Sequence, residues 1–419
     1  MELTILGGGG EVGRLAVHIN VNGTNILLDY GINFAEDDTP QLPLHIEPRK
    51  VDVLTISHAH LDHMGAAPIL YISSNIKAYT TRITRDLMNP MFEDFLHISG
   101  YHLPFEYYEV RKLMQNVEVV KYGELVEEGN VQLEFINAGH IPGSMMTLIH
   151  GKNKSILFTG DVNTIDTNLV RGASLNNVKA EYLVLEATYA DATHPPRGEV
   201  EKRFIEAVKE VLENNGVVLV PAFALGRSQE ILCVLKDHNI DPVFYDGMVR
   251  EINRILLSNL SFINKKTLFE DAVIAYHEVK GWYNRKHVIS RPCVIVASAG
   301  MLKGGPALYY LKRIYEDKRN AVFLVSFQAP NTPGYKLLSS GTWNEGGIKV
   351  KARVEWFDFS SHAGKRELLN LVKSIKGLEK VIIVHSEPGA ASKLAQRINE
   401  EVGIEVVIAE NAMKIELND

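Results

Sequence analysis

Apolar and polar positions in the first part of the chain follow a period of two. Leu15, Val17, Ile19 and Val21 fall on one side of an extended segment, alternating with Ala16, His18, Asn20 and Asn22 before the turn Asn22-Gly23. This is the pattern of a strand buried on one face and closed by a tight turn. Short apolar runs at 26–28, 51–57, 131–136, 155–159 and 182–185 predict further strands, with long helical stretches between about 81 and 116. From about residue 191 the period lengthens. Val200, Phe204, Val208, Val211 and Leu212 mark one face of a helix that leads into the run 217–221. Helices then alternate with strands at 242–245, 293–297 and 321–326, which predicts a parallel sheet. A strand at 353–357, a helix at 365–375 and a strand at 381–384 follow. No obvious linker separates the two patterns. The expected organisation is α/β throughout, with residues 1–190 and 351–419 forming one domain and 191–350 a second α/β domain inserted into it.

Composition narrows the picture. A formal charge of −7 over 419 residues argues against a protein that coats nucleic acid nonspecifically. It leaves room for a nucleic-acid substrate held by a local basic surface, for which Arg82, Arg85, Arg227, Lys265, Lys266, Lys303 and Arg353 are candidates. No apolar run approaches the roughly 18 residues of a membrane span, so no membrane association is expected. Met1-Glu2-Leu3-Thr4-Ile5-Leu6 begins as a strand without the basic and apolar regions of a signal peptide. Cys233 and Cys293 are the only cysteines, as befits a reducing compartment. A cytoplasmic location is expected.

The candidate chemistry sits where strands end. His58-Ala59-His60-Leu61-Asp62-His63 follows the run 51–57 directly, packing imidazole and carboxylate donors of the kind Zn²⁺ takes in hydrolytic sites. The i, i+2 spacing lets His58 and His60 converge on one ion and displaces Asp62 and His63 enough to serve a second. Asp29, His140, Asp161, Glu186 and His385 likewise stand at or just past the ends of apolar strands. Strands of one sheet deliver their carboxyl ends to one edge, so residues spread over the chain can meet there. Gly8-Gly9-Gly10-Glu11-Val12-Gly13 has the spacing of a dinucleotide-binding turn. That turn needs a helix next, and the alternation at 15–22 predicts a strand, so a glycine-rich turn lining a cleft is the better reading. Arg227, Ser298, Gly300 and Gly304 are candidates for cradling phosphates through a guanidinium and exposed backbone N–H groups.

His58-x-His60-x-Asp62-His63, Gly139-His140 and Thr159-Gly160-Asp161 resemble the metal-binding set of metallo-β-lactamase-fold hydrolases. Leu185-Glu186-Ala187-Thr188-Tyr189, Phe359-Ser360-Ser361-His362-Ala363 and Val384-His385-Ser386-Glu387-Pro388-Gly389 are similar to three further motifs of the β-CASP nucleases. Pro221-Ala222-Phe223-Ala224-Leu225-Gly226-Arg227 and Ser298-Ala299-Gly300-Met301-Leu302 resemble segments of that group's inserted domain. The resemblance spans essentially the whole chain. It is strongest to the archaeal CPSF-like ribonucleases without N-terminal KH modules, with ribonuclease J as a near relative. It implies an αββα sandwich carrying a β-CASP insertion and two Zn²⁺ ions. His58, His60 and His140 would hold one ion and Asp62, His63 and His385 the other, with Asp161 bridging. Asp29 would orient a ligand or the nucleophile, and His362, paired with Glu186, would deliver a proton to the leaving oxygen. The implied substrate is single-stranded RNA, cut as a 5′→3′ exonuclease or an endonuclease, and a homodimer is expected. The alternatives are a DNA-processing member, which would usually lack a histidine at 385, and a small-molecule hydrolase, which would not need so long an insertion. Ala187 and Gly364 stand where the family often has serine and an acidic residue, which puts in question how the Glu186/His362 pair is held.

Overall fold

The computed structural model describes residues 1–99, 102–344 and 346–418. The chain divides into two compact units: Met1–Asp166, Gly172–Thr193 and Ser361–Asp419 form the first, and Thr167–Arg171 with His194–Ser360 form the second.

In the first unit two mixed sheets face each other. One runs in the order Lys414–Glu416, Glu2–Gly7, Ala16–Val21, Thr24–Leu28, Val53–Thr55, Lys77–Thr81, Val117–Val120. The other runs Glu405–Ile408, Lys380–Val384, Tyr182–Glu186, Ser155–Phe158, Met145–His150, Val131–Asn137, Leu125–Glu128. The alternating residues Leu15, Val17, Ile19 and Val21 point between the sheets, where they meet Leu133, Phe135, Ile156, Val184 and Ile382 in one buried cluster. A strand, not a helix, therefore follows the glycine-rich turn. The outer face of the second sheet is covered by helices Lys365–Ser374 and Pro388–Val402 through Leu368, Leu369, Val372 and Leu394. Helix Arg82–Ser99 lies against the Lys77–Thr81 and Val117–Val120 strands of the first. This is the αββα sandwich.

Polarity of the strands positions the chemistry. Thr24–Leu28 and Val53–Thr55 run parallel, as do Ser155–Phe158, Tyr182–Glu186 and Lys380–Val384. Within each sheet these carboxyl ends share an edge, and Asp29, His58, Asp161, Glu186 and His385 are found there.

The second unit is an all-parallel six-stranded sheet ordered His277–Glu278, Val243–Asp246, Cys293–Ala297, Val217–Pro221, Ala321–Leu324, Arg353–Trp356. Its core lies on both faces, around Phe204, Ile231 and Phe323 on one and Leu219, Tyr310 and Leu311 on the other. Burial on both faces explains why its strands read as continuous apolar runs rather than alternating ones. The unit extends past the boundary expected at 350. Arg353–Trp356 pairs in parallel with Ala321–Leu324, so the strand completes the inserted sheet and the chain re-enters the first unit only at Ser361. No helix among the described residues is long and apolar enough to cross a membrane.

Candidate metal centre

At the shared edge of the first unit, six side chains converge on Asp161. His58 Nε2 and His140 Nε2 lie 3.6 and 3.5 Å from Asp161 Oδ2. His60 Nδ1 lies 3.0 Å from His58 Nε2 and 3.3 Å from His140 Nε2. On the other side, His63 Nε2 and His385 Nδ1 lie 3.2 and 3.7 Å from Asp161 Oδ1. Asp62 Oδ2 approaches His63 Nε2 at 3.9 Å and His385 Nε2 at 3.5 Å. The donors thus fall into two groups, His58/His60/His140/Asp161 and Asp62/His63/His385. One oxygen of Asp161 faces each group.

Hydrogen bonds behind the imidazoles fix which nitrogen faces the centre. His63 Nδ1–H donates to Asp29 Oδ2 at 2.7 Å, and His140 Nδ1–H donates to the Ser361 carbonyl at 2.9 Å. Ser57 donates from its backbone N and its hydroxyl to Asp29, both at 2.7 Å. Its Oγ is then left to accept from His58 Nδ1 at 3.0 Å. Thr188 Oγ1 lies 3.0 Å from His385 Nδ1. His58, His63 and His140 therefore turn Nε2 inward, the arrangement by which outer partners set tautomer and ring orientation at metal sites, while His385 directs Nε2 to Asp62 and has Nδ1 beside both Thr188 and Asp161. Asp29 is fully buried and touches Ser57 and His63, which makes it a positioning residue.

The site fits a divalent metal on its own chemistry. His63 Nε2, His385 Nε2 and Asp161 Oδ1 are buried without a hydrogen-bond partner, and such orphaned groups are costly unless an ion satisfies them. Burial and the neighbouring imidazoles hold His58 and His140 well below the usual histidine range, hence neutral and able to ligate. Burial pushes the Asp161 carboxyl up, but the surrounding histidines outweigh it and keep it ionised.

Glu186 and His362 stand beside these groups. His362 Nδ1–H donates to Glu186 Oε1 at 3.0 Å, and its Nε2 lies 3.9 Å from Asp161 Oδ2. Glu186 also accepts from the Val162 and Thr188 backbone N–H groups at 3.1 and 2.8 Å. With its oxygens so occupied, Glu186 orients His362 rather than reaching for an ion, although it lies within reach of Asp161 and His385. Burial draws the His362 pKa down, but Asp161 and Glu186 more than offset this and raise it above the ordinary value. Ala187 is buried among apolar neighbours and Gly364 bridges to Tyr189, and Glu186 is held by backbone N–H groups of Val162 and Thr188. Ser57, Thr188 and the Ser361 carbonyl are contributors that residue-type reasoning passed over. Their signal was adjacency to the histidine motifs.

In the second unit Arg227 opens the helix Arg227–Asp237 after Val217–Pro221, and Ser298, Gly300 and Gly304 follow Cys293–Ala297. These strands are neighbours, so both loops lie at the carboxyl edge of the parallel sheet. A Cβ on Gly300 would stand 2.9 Å from the Phe223 nitrogen, so the glycine permits the two loops to touch. Gly304 has open space around it and extended backbone. Of the basic candidates, Arg353 is engaged by Glu210 and Glu355 and Arg85 by Asp86.

Comparison with known proteins agrees with this geometry. Residues 9–221 match the Metallo-beta-lactamase superfamily, 228–337 the Beta-Casp domain and 347–409 the Zn-dependent metallo-hydrolase RNA specificity domain. The superfamily match implies a divalent metal, for which the two donor groups are suited. The chain is 50% identical to the RNase aCSPSF2 of Saccharolobus solfataricus over 418 residues, 99% of this chain and 85% of that one. It is 33% identical to the transcription termination factor FttA of Pyrococcus abyssi, over all of this chain and 71% of that one. The solved structure of a protein of unknown function from Enterococcus faecalis V583 shares the fold, with a TM-score of 0.65 at 14% identity over 99% of both chains. With three domain matches along its length and half its residues shared with an archaeal relative, the chain belongs to the β-CASP branch of the metallo-β-lactamase superfamily, among the archaeal CPSF-like proteins.

Proposed function

We propose that the chain is a metal-dependent ribonuclease that hydrolyses phosphodiester bonds of single-stranded RNA, with two Zn²⁺ ions held by His58/His60/His140 and Asp62/His63/His385 and shared through Asp161. The observation that carries this reading is the division of donors about Asp161, one carboxylate oxygen to each group. When bound, the ions would supply an activated water and neutralise charge on the phosphoryl oxygens. The protein's own part is to present imidazoles, those of His58 and His140 held neutral, and an ionised carboxylate in fixed orientation, through Asp29, Ser57, Thr188 and the Ser361 carbonyl. His362, with its raised pKa and with Nδ1 held by Glu186, keeps a proton on Nε2. From there it is the group that protonates the departing oxygen.

The match of residues 347–409 to an RNA specificity domain and the ribonuclease relative favour RNA over DNA or a small molecule. A role in RNA processing or decay follows, and the termination-factor relatives add transcript release as a setting for the same chemistry. Homodimerisation rests on the family resemblance, and a cytoplasmic location on the two unpaired, buried cysteines.

The test is incubation of zinc-loaded protein with 5′-monophosphorylated, 5′-triphosphorylated and circular RNAs, followed by product mapping. Cutting of the circle identifies an endonuclease, and mononucleotides released only from the 5′-monophosphate identify a 5′→3′ exonuclease. Failure to cut any of the three with metal bound overturns the reading.

A further inference from the structure

The longest acid-free stretch of the inserted unit runs from Val279 to Tyr315, between Glu278 and Glu316. In a chain of net charge −7 it carries Lys280, Arg285, Lys286, Arg291, Lys312 and Arg313 among its bases and no aspartate or glutamate. On it the helix Gly281–Val288 presents two large rings to solvent, Trp282 at 68% and Tyr283 at 82% exposure. Isolated exposed aromatics are unremarkable in a protein surface. Two adjacent ones on a purely basic stretch ask for a partner.

The Trp282 ring rests on a bonded base. Asp246, fully buried at the end of strand Val243–Asp246, accepts from Arg285 Nε at 2.7 Å and Nη2 at 3.1 Å, and from the Tyr310 hydroxyl at 2.8 Å. Locked this way, the Arg285 guanidinium lies 4.8 Å over the Trp282 ring, and Tyr309 meets that ring edge-on at 5.0 Å. Arg313 stacks on Tyr309 at 3.5 Å. Of the carboxylates bordering the platform, Asp246 is engaged by Arg285 and Glu278 by Arg250 and Arg254. The platform also adjoins a known kind of ligand edge. Asp246 pairs with Ala297, so it stands at the carboxyl edge of the parallel sheet, one strand from Ser298, where α/β sheets bind ligands.

We propose that Trp282 and Tyr283, with Lys280 at the helix N-cap and Lys286 on the same helix, form a stacking surface on the inserted unit for the bases and phosphates of single-stranded RNA. Aromatic faces take any base, and nearby cations follow the backbone, so the surface confers grip without sequence preference. The proposal rests on the ribonuclease reading and adds to it a contact outside the metal-bearing unit. Charge complementarity selects the occupant: a polyanion with stackable rings satisfies both features at once, whereas an apolar protein face satisfies only the rings.

The experiment uses the full-length, zinc-loaded protein and a short single-stranded oligo(U) made resistant to hydrolysis by phosphorothioate linkages. In a W343F/W356F background Trp282 is the sole tryptophan, and its fluorescence should be quenched on binding. Trp282→Ala and Tyr283→Ala should each weaken affinity at least about fivefold. W282F/Y283F should retain most of it, which separates loss of stacking from loss of fold. In W282A/Y283A the KM for cleavage of unmodified oligo(U) should rise along with the loss of affinity. Unchanged affinity in that double variant overturns the proposal. So does a wild-type dimer, seen by sedimentation, that W282A/Y283A converts to monomers without loss of RNA affinity; the surface is then an interface between copies. If the wild type cuts no RNA yet Trp282 is quenched and the affinity losses appear, the surface stands and it is the hydrolytic reading that fails.

Discussion

Asp161 is the residue on which the centre turns. It is nearly fully buried, with one oxygen toward His58 and His140 and the other toward His63 and His385. Asp161→Ala is expected to abolish RNA cleavage and to reduce bound zinc, while the circular dichroism spectrum remains that of the folded protein. Full cleavage by a metal-loaded D161A would contradict a shared two-ion centre. His362 makes a different expectation. Its contacts are to Glu186 and to the outer side of the ligand set, so His362→Ala should slow cleavage by about 10²–10⁴-fold, the usual worth of a positioned acid, with zinc content unchanged. Elemental analysis decides it: zinc lost from H362A would make His362 a ligand. At this scale the sequence was highly legible. His58, His60, Asp62, His63, His140, Asp161 and His385 were marked as metal-competent by residue type and by position after apolar runs, the family resemblance set them apart from Asp29 and Glu186 as ligands, and the structure brings them together. The supporting groups were not legible, because a serine hydroxyl or a backbone carbonyl carries no mark of its role until its neighbour is known.

Strands are the elements that deliver these residues, and their packing is what holds the geometry. Lys380–Val384 lies between Tyr182–Glu186 and Glu405–Ile408, and its end carries His385. Ile382, wholly buried between the two sheets, is expected to cost about 2–5 kcal/mol when truncated to alanine, for lost burial plus the cavity left behind. Urea denaturation of Ile382→Ala measures it, and a loss below about 1 kcal/mol would mean the sandwich collapses around the gap. Period-two alternation was readable for Ala16–Val21, which has a buried and a less buried face. Strand Arg353–Trp356 shows the limit of such reading. Its sequence fits an edge strand in either domain, and only its pairing with Ala321–Leu324 assigns it to the inserted sheet.

For the molecule as a whole, the concentration of buried polar atoms at one edge of the first unit couples stability to metal. His63 Nε2, His385 Nε2 and Asp161 Oδ1 have no hydrogen-bond partner there. An ion that binds only the folded state stabilises it by mass action. Removing divalent metal with EDTA is therefore expected to lower the unfolding temperature, and added Zn²⁺ to restore it, as followed by scanning calorimetry. A transition that EDTA leaves in place would argue that the donors are not a resident metal site. The net charge of −7 reads differently at this scale too. It is an average over a chain whose segment 279–315 has bases and no acids, and averages hide such a surface.

By itself the sequence determined the donor types, their positions at strand ends, the change from alternating to continuous apolar strands, and through its motifs the family. These are local properties, set by residue chemistry and by a side-chain period that a few neighbours suffice to reveal. The tertiary structure alone decided which oxygen of Asp161 serves which group, that Asp29 acts through His63, and where the inserted sheet ends. It also set the exposed Trp282 ring against the Arg285–Asp246–Tyr310 base. Each of those depends on distances between residues far apart in the chain. Such distances follow from how sheets pack and strands pair, and no local pattern encodes them.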